Sequence, residues 1–283
     1  MSQQIHWFPG HMKKAQIEIE KKVKLVDCII ELLDARIPLA SRNNVLYEIT
    51  KNKLRLVVLT KADLADEKVT KEWMEYFKNS GSAVIFADLN KSSDIKNIVL
   101  NVEKLGEGKN QKLVAKGMKP QPVRAMVIGI PNVGKSTLIN KLANRHSASV
   151  QNKPGHTKSQ QLIKVSNKFE LLDTPGILQN NYEDPSKAML LALVGSIRSD
   201  ILPIDEVAKE AYEYLSKYYF TSIVKRFSYI ENDDSYIEGF RKIARSRGYL
   251  SKGLEDVGKA MEVLLNELKN GQIGRVSFER ITN

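Results

Sequence analysis

The segment that most constrains the fold is Gly129-Ile-Pro-Asn-Val-Gly134-Lys135-Ser136. It follows the apolar run 123–130 and precedes a stretch with helical spacing, which is the context of a phosphate-binding loop. The glycines allow backbone N–H groups to turn towards phosphates, and Lys135 can reach the terminal phosphate oxygens. The Ser136 hydroxyl can ligate Mg²⁺. We therefore predict a nucleotide-binding α/β domain, in which Asn132, Val133 and Thr137 join the phosphate contacts.

Two further segments follow the phosphate loop. In Asp173-Thr-Pro-Gly176 the carboxylate can hold the Mg²⁺ shell through water, while the Gly176 amide can sense the γ-phosphate. Thr157 lies in a basic polar loop and is the candidate switch threonine that closes over Mg²⁺ and the γ-phosphate, the alternative being an ordinary loop threonine. Lys135, Thr157 and Gly176 are therefore candidate catalytic residues.

A base-reading motif lies about seventy residues before the phosphate loop, at Thr60-Lys61-Ala62-Asp63. The Asp63 carboxylate can accept hydrogen bonds from N1–H and the exocyclic amino group of guanine, a pair that adenine lacks. Lys61 would pack along the base. Thr60 replaces the usual Asn, which predicts weaker guanine binding. Ala87 and Asp88 are the candidates for the loop that closes over the base.

The order of these motifs predicts a circularly permuted GTPase, because P-loop GTPases ordinarily carry the phosphate loop first and the base motif last. Short apolar runs alternate with helical spacing, which indicates a mostly parallel sheet flanked by helices. Two runs near 161–172 predict an antiparallel edge hairpin. We predict a GTPase domain over residues 1–180, with a permutation linker at about 106–122. Residues 181–283 should form an α-helical second domain.

Charge and composition restrict the partners. The net charge is +11. Residues 141–168 contain six Lys and Arg and no acid, and residues 104–124 contain six against Glu107 alone. Both stretches suit RNA, although a solvated lysine-rich face is an equal alternative. No apolar run is long enough for a membrane span and no targeting segment is evident, so we expect a cytoplasmic protein without membrane contact.

Several single residues leave alternatives open. Cys28 lies in an apolar run and is expected in the core, with a redox role as the alternative. Arg36 and Arg42 could contact RNA or nucleotide, or pair with surface acids. Ile177 occupies the position where many GTPases carry a glutamine that orients the attacking water, so hydrolysis needs another group. The Asn132 side-chain oxygen could hold a monovalent cation, or Asn132 could simply favour the turn.

The motifs in this order, together with Trp7-Phe-Pro-Gly-His-Met12 and Asp34-Ala-Arg-Ile-Pro-Leu-Ala-Ser-Arg42, resemble the circularly permuted ribosome-assembly GTPases. The resemblance spans nearly the whole chain. It implies that His11 takes part in hydrolysis and that a hydrophobic residue replaces the catalytic glutamine, in agreement with Ile177. It also implies K⁺-stimulated turnover and binding to the large ribosomal subunit during late maturation. The helical C-terminal domain, residues 181–283, is then expected to bind RNA or the ribosome. Alternatively, Trp7, Phe8 and Pro9 could anchor the N-terminus to the core, which would leave His11 as a structural cap.

Two functions are consistent with these residues. The first is a GTP-hydrolysing switch that binds a precursor of the large ribosomal subunit through rRNA and ribosomal proteins and is monomeric off the ribosome. The second is a nucleotide-dependent RNA-binding scaffold in which hydrolysis is incidental. Turnover stimulated by large subunits would distinguish the first from the second.

Overall fold

The computed structural model describes residues 17–147, 162–172, 184–197 and 202–281. These residues fall into two compact units. The first contains 17–34, 41–60, 73–147 and 162–172. The second contains 184–197 and 202–281, together with Ala35–Ala40 and Lys61–Glu72. The two inserted segments come directly after the first two strands, so sequence position alone does not assign a residue to a unit.

The first unit is built on a six-stranded sheet with the order β3-β2-β1-β4-β6-β5. Every neighbouring pair is parallel except β5 and β6. This arrangement confirms the predicted mostly parallel sheet and the predicted edge hairpin. The strands are β1 (Cys28–Asp34), β2 (Leu54–Thr60), β3 (Ala83–Ala87), β4 (Val123–Ile128), β5 (Leu162–Lys164) and β6 (Phe169–Leu172).

Six helices begin within residues 17–147. They are α1 (17–23), α2 (Asn44–Thr50), α3 (Glu67–Asn79), α4 (Ser92–Leu105), α5 (Glu107–Ala115) and α6 (Lys135–Ser147). The strand β2, which ends in the base motif, precedes β4, which leads into the phosphate loop. The parallel pairing of β1 with both β2 and β4 brings the ends of these strands to one edge of the sheet.

The predicted linker does join α4 to β4, but it is helical over Glu107–Ala115. Its Gly and Pro residues stand mostly at the two ends, while the middle contains helix-forming Lys, Gln, Leu and Ala. None of the helix residues is buried. The Asn110 side chain accepts a hydrogen bond from Gln121 N at 2.9 Å and donates one to Gln121 O at 3.1 Å, which fixes the return towards β4.

Cys28 is fully buried in β1. Burial raises the pKa of its thiol to about 12, so the thiolate that reacts in redox chemistry is suppressed. The prediction of a core cysteine is confirmed.

An ionic cluster is centred on Glu31 of β1. Glu31, only 2% exposed, accepts two hydrogen bonds from Arg42, at 3.0 and 2.9 Å, and one from Arg55 at 3.0 Å. The Arg42 guanidinium also lies over the rings of Tyr47 and Phe77. Arg42 therefore pairs with an acid, as one of the two alternatives expected, but this acid is buried in β1 and not on the surface.

The second unit is mainly helical. Its elements are α7 (Pro185–Leu193), α8 (Ile204–Tyr218), α9 (Phe220–Arg226), α10 (Tyr236–Arg247), β7 (Leu250–Ser251), β8 (Leu254–Glu255) and α11 (Val257–Lys269). Asp184 caps α7 through Ser186 N, and Ser235 caps α10 through Glu238 N. The short hairpin β7–β8 lies between α10 and α11. Its turn residues Lys252 and Gly253 both have positive φ, which favours a hairpin turn.

Arg36 belongs to the second unit and is 2% exposed. Its Nη2 donates to the Val194 carbonyl oxygen at 3.1 Å. The proposed contact of Arg36 with RNA or a surface acid is therefore not supported by its position. Within the described residues, no helix is long and apolar enough to cross a membrane.

Candidate functional site

The phosphate loop has a backbone shape that depends on its residue types. Gly129 and Gly134 have φ of 155° and 108°. A Cβ at Gly129 would lie 2.8 Å from Leu32 O, and one at Gly134 would lie 2.6 Å from Leu89 Cδ1. Asn132 also has positive φ, at 59°, a conformation that asparagine tolerates better than most residues. The loop therefore needs these glycines for both backbone conformation and space.

The loop leads directly into α6, which begins at Lys135. The Lys135 ammonium donates to the Ile130 carbonyl oxygen within the same loop. Burial lowers the pKa of Lys135 to about 8. Ser136 and Thr137 are exposed in the first turn of α6. A helix N-terminus with a lysine and two hydroxyls favours binding of a phosphate anion.

Thr60 braces the phosphate loop from the end of β2. Its hydroxyl, in a residue only 1% exposed, lies 2.8 Å from the Val133 carbonyl oxygen and 3.1 Å from that of Leu33. Val133 itself is buried, so its carbonyl oxygen is satisfied from within the protein. The sequence identified Thr60 as a departure from asparagine but missed this contact. The sequence did contain an indication of this contact, because Thr60 stands at the end of a predicted strand, and parallel strands of one sheet end at the same edge as the phosphate loop.

Ala87 is the last residue of β3, and Asp88 follows it at the same edge of the sheet. Ala87 is buried. The Asp88 N–H donates to Asp94 Oδ2 at 2.9 Å, and the Asp88 carboxylate accepts from Asn90 N at 2.9 Å. Both groups of Asp88 thus take part in a local turn.

The next residue, Leu89, contacts the phosphate loop, and sequence reasoning missed this contact. Its side chain fills the space beside Gly134, and its carbonyl oxygen accepts a hydrogen bond from Lys141 Nζ at 2.6 Å. Leu89 therefore packs the loop after β3 against the phosphate loop and α6. An apolar residue directly after a strand was the only sequence signal for this role.

Lys61 and Asp63 follow Thr60 in the chain and belong to the second unit. Lys61 has φ of 55°, and its carbonyl oxygen accepts from Leu64 N at 2.9 Å, which closes a tight turn. Asp63 is exposed within this turn. Its carboxylate is therefore accessible to a ligand.

Four predicted site residues lie outside the described residues: His11, Thr157, Asp173 and Gly176. Ile177 lies outside them as well. Their roles remain predictions from the sequence. The described part of the site consists of the phosphate loop with Lys135, the brace from Thr60 and the loop after β3.

Comparison with known proteins gives a consistent family. Residues 124–225 match the family model described as 50S ribosome-binding GTPase. The chain is 44% identical over 276 residues to the ribosome biogenesis GTPase A of Bacillus cereus, covering 97% of this chain and 93% of that protein. It is also similar to a GNP-bound YlqF structure from T. maritima, with 32% identity, a TM-score of 0.68 and coverage of 94% and 98% of the two chains. A GDP-bound YlqF structure matches with 30% identity, a TM-score of 0.69 and coverage of 93% and 98%.

Proposed function

We propose, since the chain belongs to the ribosome biogenesis GTPase A family, that it is a GTP-hydrolysing switch acting on a precursor of the large ribosomal subunit. The coarser part of this function follows from the family itself: the protein is a GTPase and acts in ribosome assembly. The large subunit as the particular target is our proposal. It is supported by the description of the matched family model as 50S ribosome-binding.

The single observation that carries the nucleotide chemistry is the braced phosphate loop. Lys135, Ser136 and the backbone of residues 132–137 would hold the phosphates of GTP. Thr60 keeps the loop in place through Val133 O. Lys61 and Asp63 would bind the guanine base, and the loop at Ala87 and Asp88 would close over it. The phosphate loop would hold the phosphates and the Lys135 ammonium in fixed positions. Positioning and electrostatic stabilisation are the main contributions of such proteins to phosphoryl transfer.

Mg²⁺ is the typical cofactor of this family, and the residues present fit it. The Ser136 hydroxyl is an exposed oxygen ligand at the start of α6, and Asp173 adds a carboxylate in the sequence. Both are hard oxygen donors of the kind that Mg²⁺ prefers. Bound Mg²⁺ would neutralise charge that develops on the phosphates. Thr157 and Gly176 are our candidates for the groups that respond to the γ-phosphate.

Hydrolysis without a glutamine at Ile177 needs other groups. We assign His11 to the attacking water, because an imidazole titrating near neutral pH can accept or orient a proton there. Asn132 would supply its side-chain oxygen to K⁺. The exposed position and left-handed backbone of Asn132 in the phosphate loop support this assignment.

The partner surface is expected to contact rRNA. On and near α5, five basic side chains are exposed: Lys104, Lys112, Lys116, Lys119 and Arg124. A helix without buried residues contributes little to a core, whereas its lysines can neutralise a phosphate backbone. We also propose that the protein contacts ribosomal proteins. It would be monomeric off the ribosome and located in the cytoplasm.

Proton uptake on binding provides a pH-dependent test of Lys135. With a pKa of about 8, its amine is largely neutral at pH 8.5, and the phosphates of GDP would favour the protonated form. Binding at pH 8.5 should therefore take up about three quarters of a proton per GDP, falling towards zero near pH 7. Calorimetry in buffers of different ionisation enthalpy measures this number. Equal proton uptake at both pH values would contradict the role of Lys135.

The proposed target is tested by GTP turnover in K⁺ buffer with purified large ribosomal subunits. We expect acceleration of about tenfold or more, because docking can complete a hydrolytic site that lacks its glutamine. Small subunits, ATP in place of GTP, and Na⁺ in place of K⁺ are the controls. GTP binding with salt-sensitive RNA binding but no acceleration would instead support the RNA-scaffold function.

A further inference from the structure

The chain near its C-terminus runs against the loop that carries Asp63. We call residues Arg275–Arg280 the C-terminal strap and residues Lys61–Asp66 the Asp63 loop; both belong to the second unit. Val276 N donates to Leu64 O at 2.9 Å, and Asp66 N donates to Ser277 Oγ at 3.1 Å. These two bonds hold the backbone on the C-terminal side of Asp63. Ser277 is completely buried, so its hydroxyl is fixed by its surroundings.

A single tyrosine connects the strap, the loop and the helices. Tyr219 follows α8, and its hydroxyl lies 3.1 Å from Asp66 Oδ2. The Tyr219 hydroxyl oxygen also accepts hydrogen bonds from Ser277 N at 3.1 Å and from Arg280 Nη2 at 3.0 Å. Burial raises the pKa of Tyr219 to about 12, so the hydroxyl keeps its proton and can donate to Asp66. Tyr219 therefore joins three segments that are far apart in the sequence.

The far end of the strap is anchored independently. Phe278 N donates to Arg36 O at 2.9 Å, and the Glu279 carboxylate accepts from Leu39 N at 2.6 Å and Ala40 N at 3.1 Å. Gly271, which precedes the strap in the chain, packs closely on the Asp63 loop, since a Cβ at Gly271 would lie 2.7 Å from Leu64 Cδ2. The strap is thus attached on both sides of Ser277, and it can hold the Asp63 loop in one conformation.

We infer that the C-terminal strap positions the Asp63 carboxylate for guanine, with Ser277 and Tyr219 as the positioning residues. This inference rests on the proposed role of Asp63 in base recognition. A carboxylate that accepts from both N1–H and the exocyclic amino group must be held at a defined angle to the base. The strap makes the selectivity of the nucleotide site depend on the packing of the C-terminal helices.

The test compares GDP with IDP, because hypoxanthine keeps N1–H but lacks the exocyclic amino group. Competition against fluorescent mant-GDP gives both affinities for the parent, Ser277→Ala and Tyr219→Phe. We expect each variant to lower the preference for GDP over IDP by about three- to tenfold, because GDP loses two contacts to a misplaced carboxylate whereas IDP loses only the one through N1–H. Tyr218→Phe is the matched control, since this neighbouring tyrosine is more exposed and its ring packs against that of Tyr214 in a tilted arrangement, which phenylalanine would keep. It should retain the parent preference.

Two outcomes separate the inference from its premise. Asp63→Asn should remove most of the preference for GDP over IDP. If it does, and the Ser277 and Tyr219 variants keep the parent preference or lose both nucleotides by the same factor, the strap is merely structural and our inference is wrong. If Asp63→Asn keeps the preference, the base-reading role of Asp63 fails, and the positioning role fails with it.

Discussion

Lys135→Ala should weaken GDP binding by roughly 100-fold or more. The change removes the ammonium that would lie against the phosphate oxygens, and hydrogen bonds from a charged group contribute about 1.5–3 kcal/mol each. A factor of 100 corresponds to about 2.7 kcal/mol. Titration with mant-GDP at pH 7 measures the loss where parent Lys135 is largely protonated, since its pKa is about 8.

Lys112→Ala provides the control for Lys135→Ala. It removes the same charge from α5, where the side chain is exposed and the helix has no buried residue. We expect GDP affinity close to that of the parent. Thermal unfolding of the unliganded proteins should show that Lys135→Ala stays folded, because the alanine leaves no buried charge behind. Parent-like GDP affinity in Lys135→Ala would refute the assignment of the phosphate loop.

The motif order was sufficient to predict the permuted fold, because local patterns carry that information. Each apolar run that the sequence identified became a strand, and the phosphate loop joins β4 to α6 as expected. Turn chemistry carried less information. The predicted linker contains a helix over Glu107–Ala115. In this linker the glycines did not prevent a helix, since Gly108 lies within it.

The contacts that position the site could not be predicted in the same way, because they join residues far apart in the chain. Thr60 and Val133 are 73 residues apart, and Asp66 and Ser277 are 211 apart. No local pattern records such a pair. The asparagine-to-threonine change suggested a weaker base site, whereas the structure gives Thr60 a direct role in bracing the phosphate loop. The role of Thr60 becomes predictable only once the pairing of β2, β1 and β4 is known, because that pairing brings the end of β2 close to the phosphate loop.

Glu31→Ala should lower the free energy of unfolding of the first unit by about 3–5 kcal/mol. Glu31 is the carboxylate that pairs with Arg42 and Arg55, whose side chains are 14% and 6% exposed. Its loss would leave two guanidinium groups in a poorly hydrated position. Alkylation of Cys28 as a function of urea concentration measures this change within the first unit. The buried thiol has a pKa of about 12 and lies on the same strand, so it should react only after β1 opens.

Glu75→Ala is the matched comparison for Glu31→Ala, because it breaks the exposed Lys78–Glu75 pair, which has a similar N–O distance of 2.7 Å. Water already screens that pair, so its loss should cost less than about 1 kcal/mol. The double variant Glu31→Ala/Arg55→Ala should cost less than the sum of the two single changes, since it removes one of the stranded charges together with its partner. Equal costs for Glu31→Ala and Glu75→Ala would mean that the buried cluster does not stabilise the sheet. A large cost for Glu31→Ala, together with a cost of Arg55→Ala that is smaller in the Glu31→Ala background than in the parent, would support uncompensated charge, and not lost packing, as the source of the penalty.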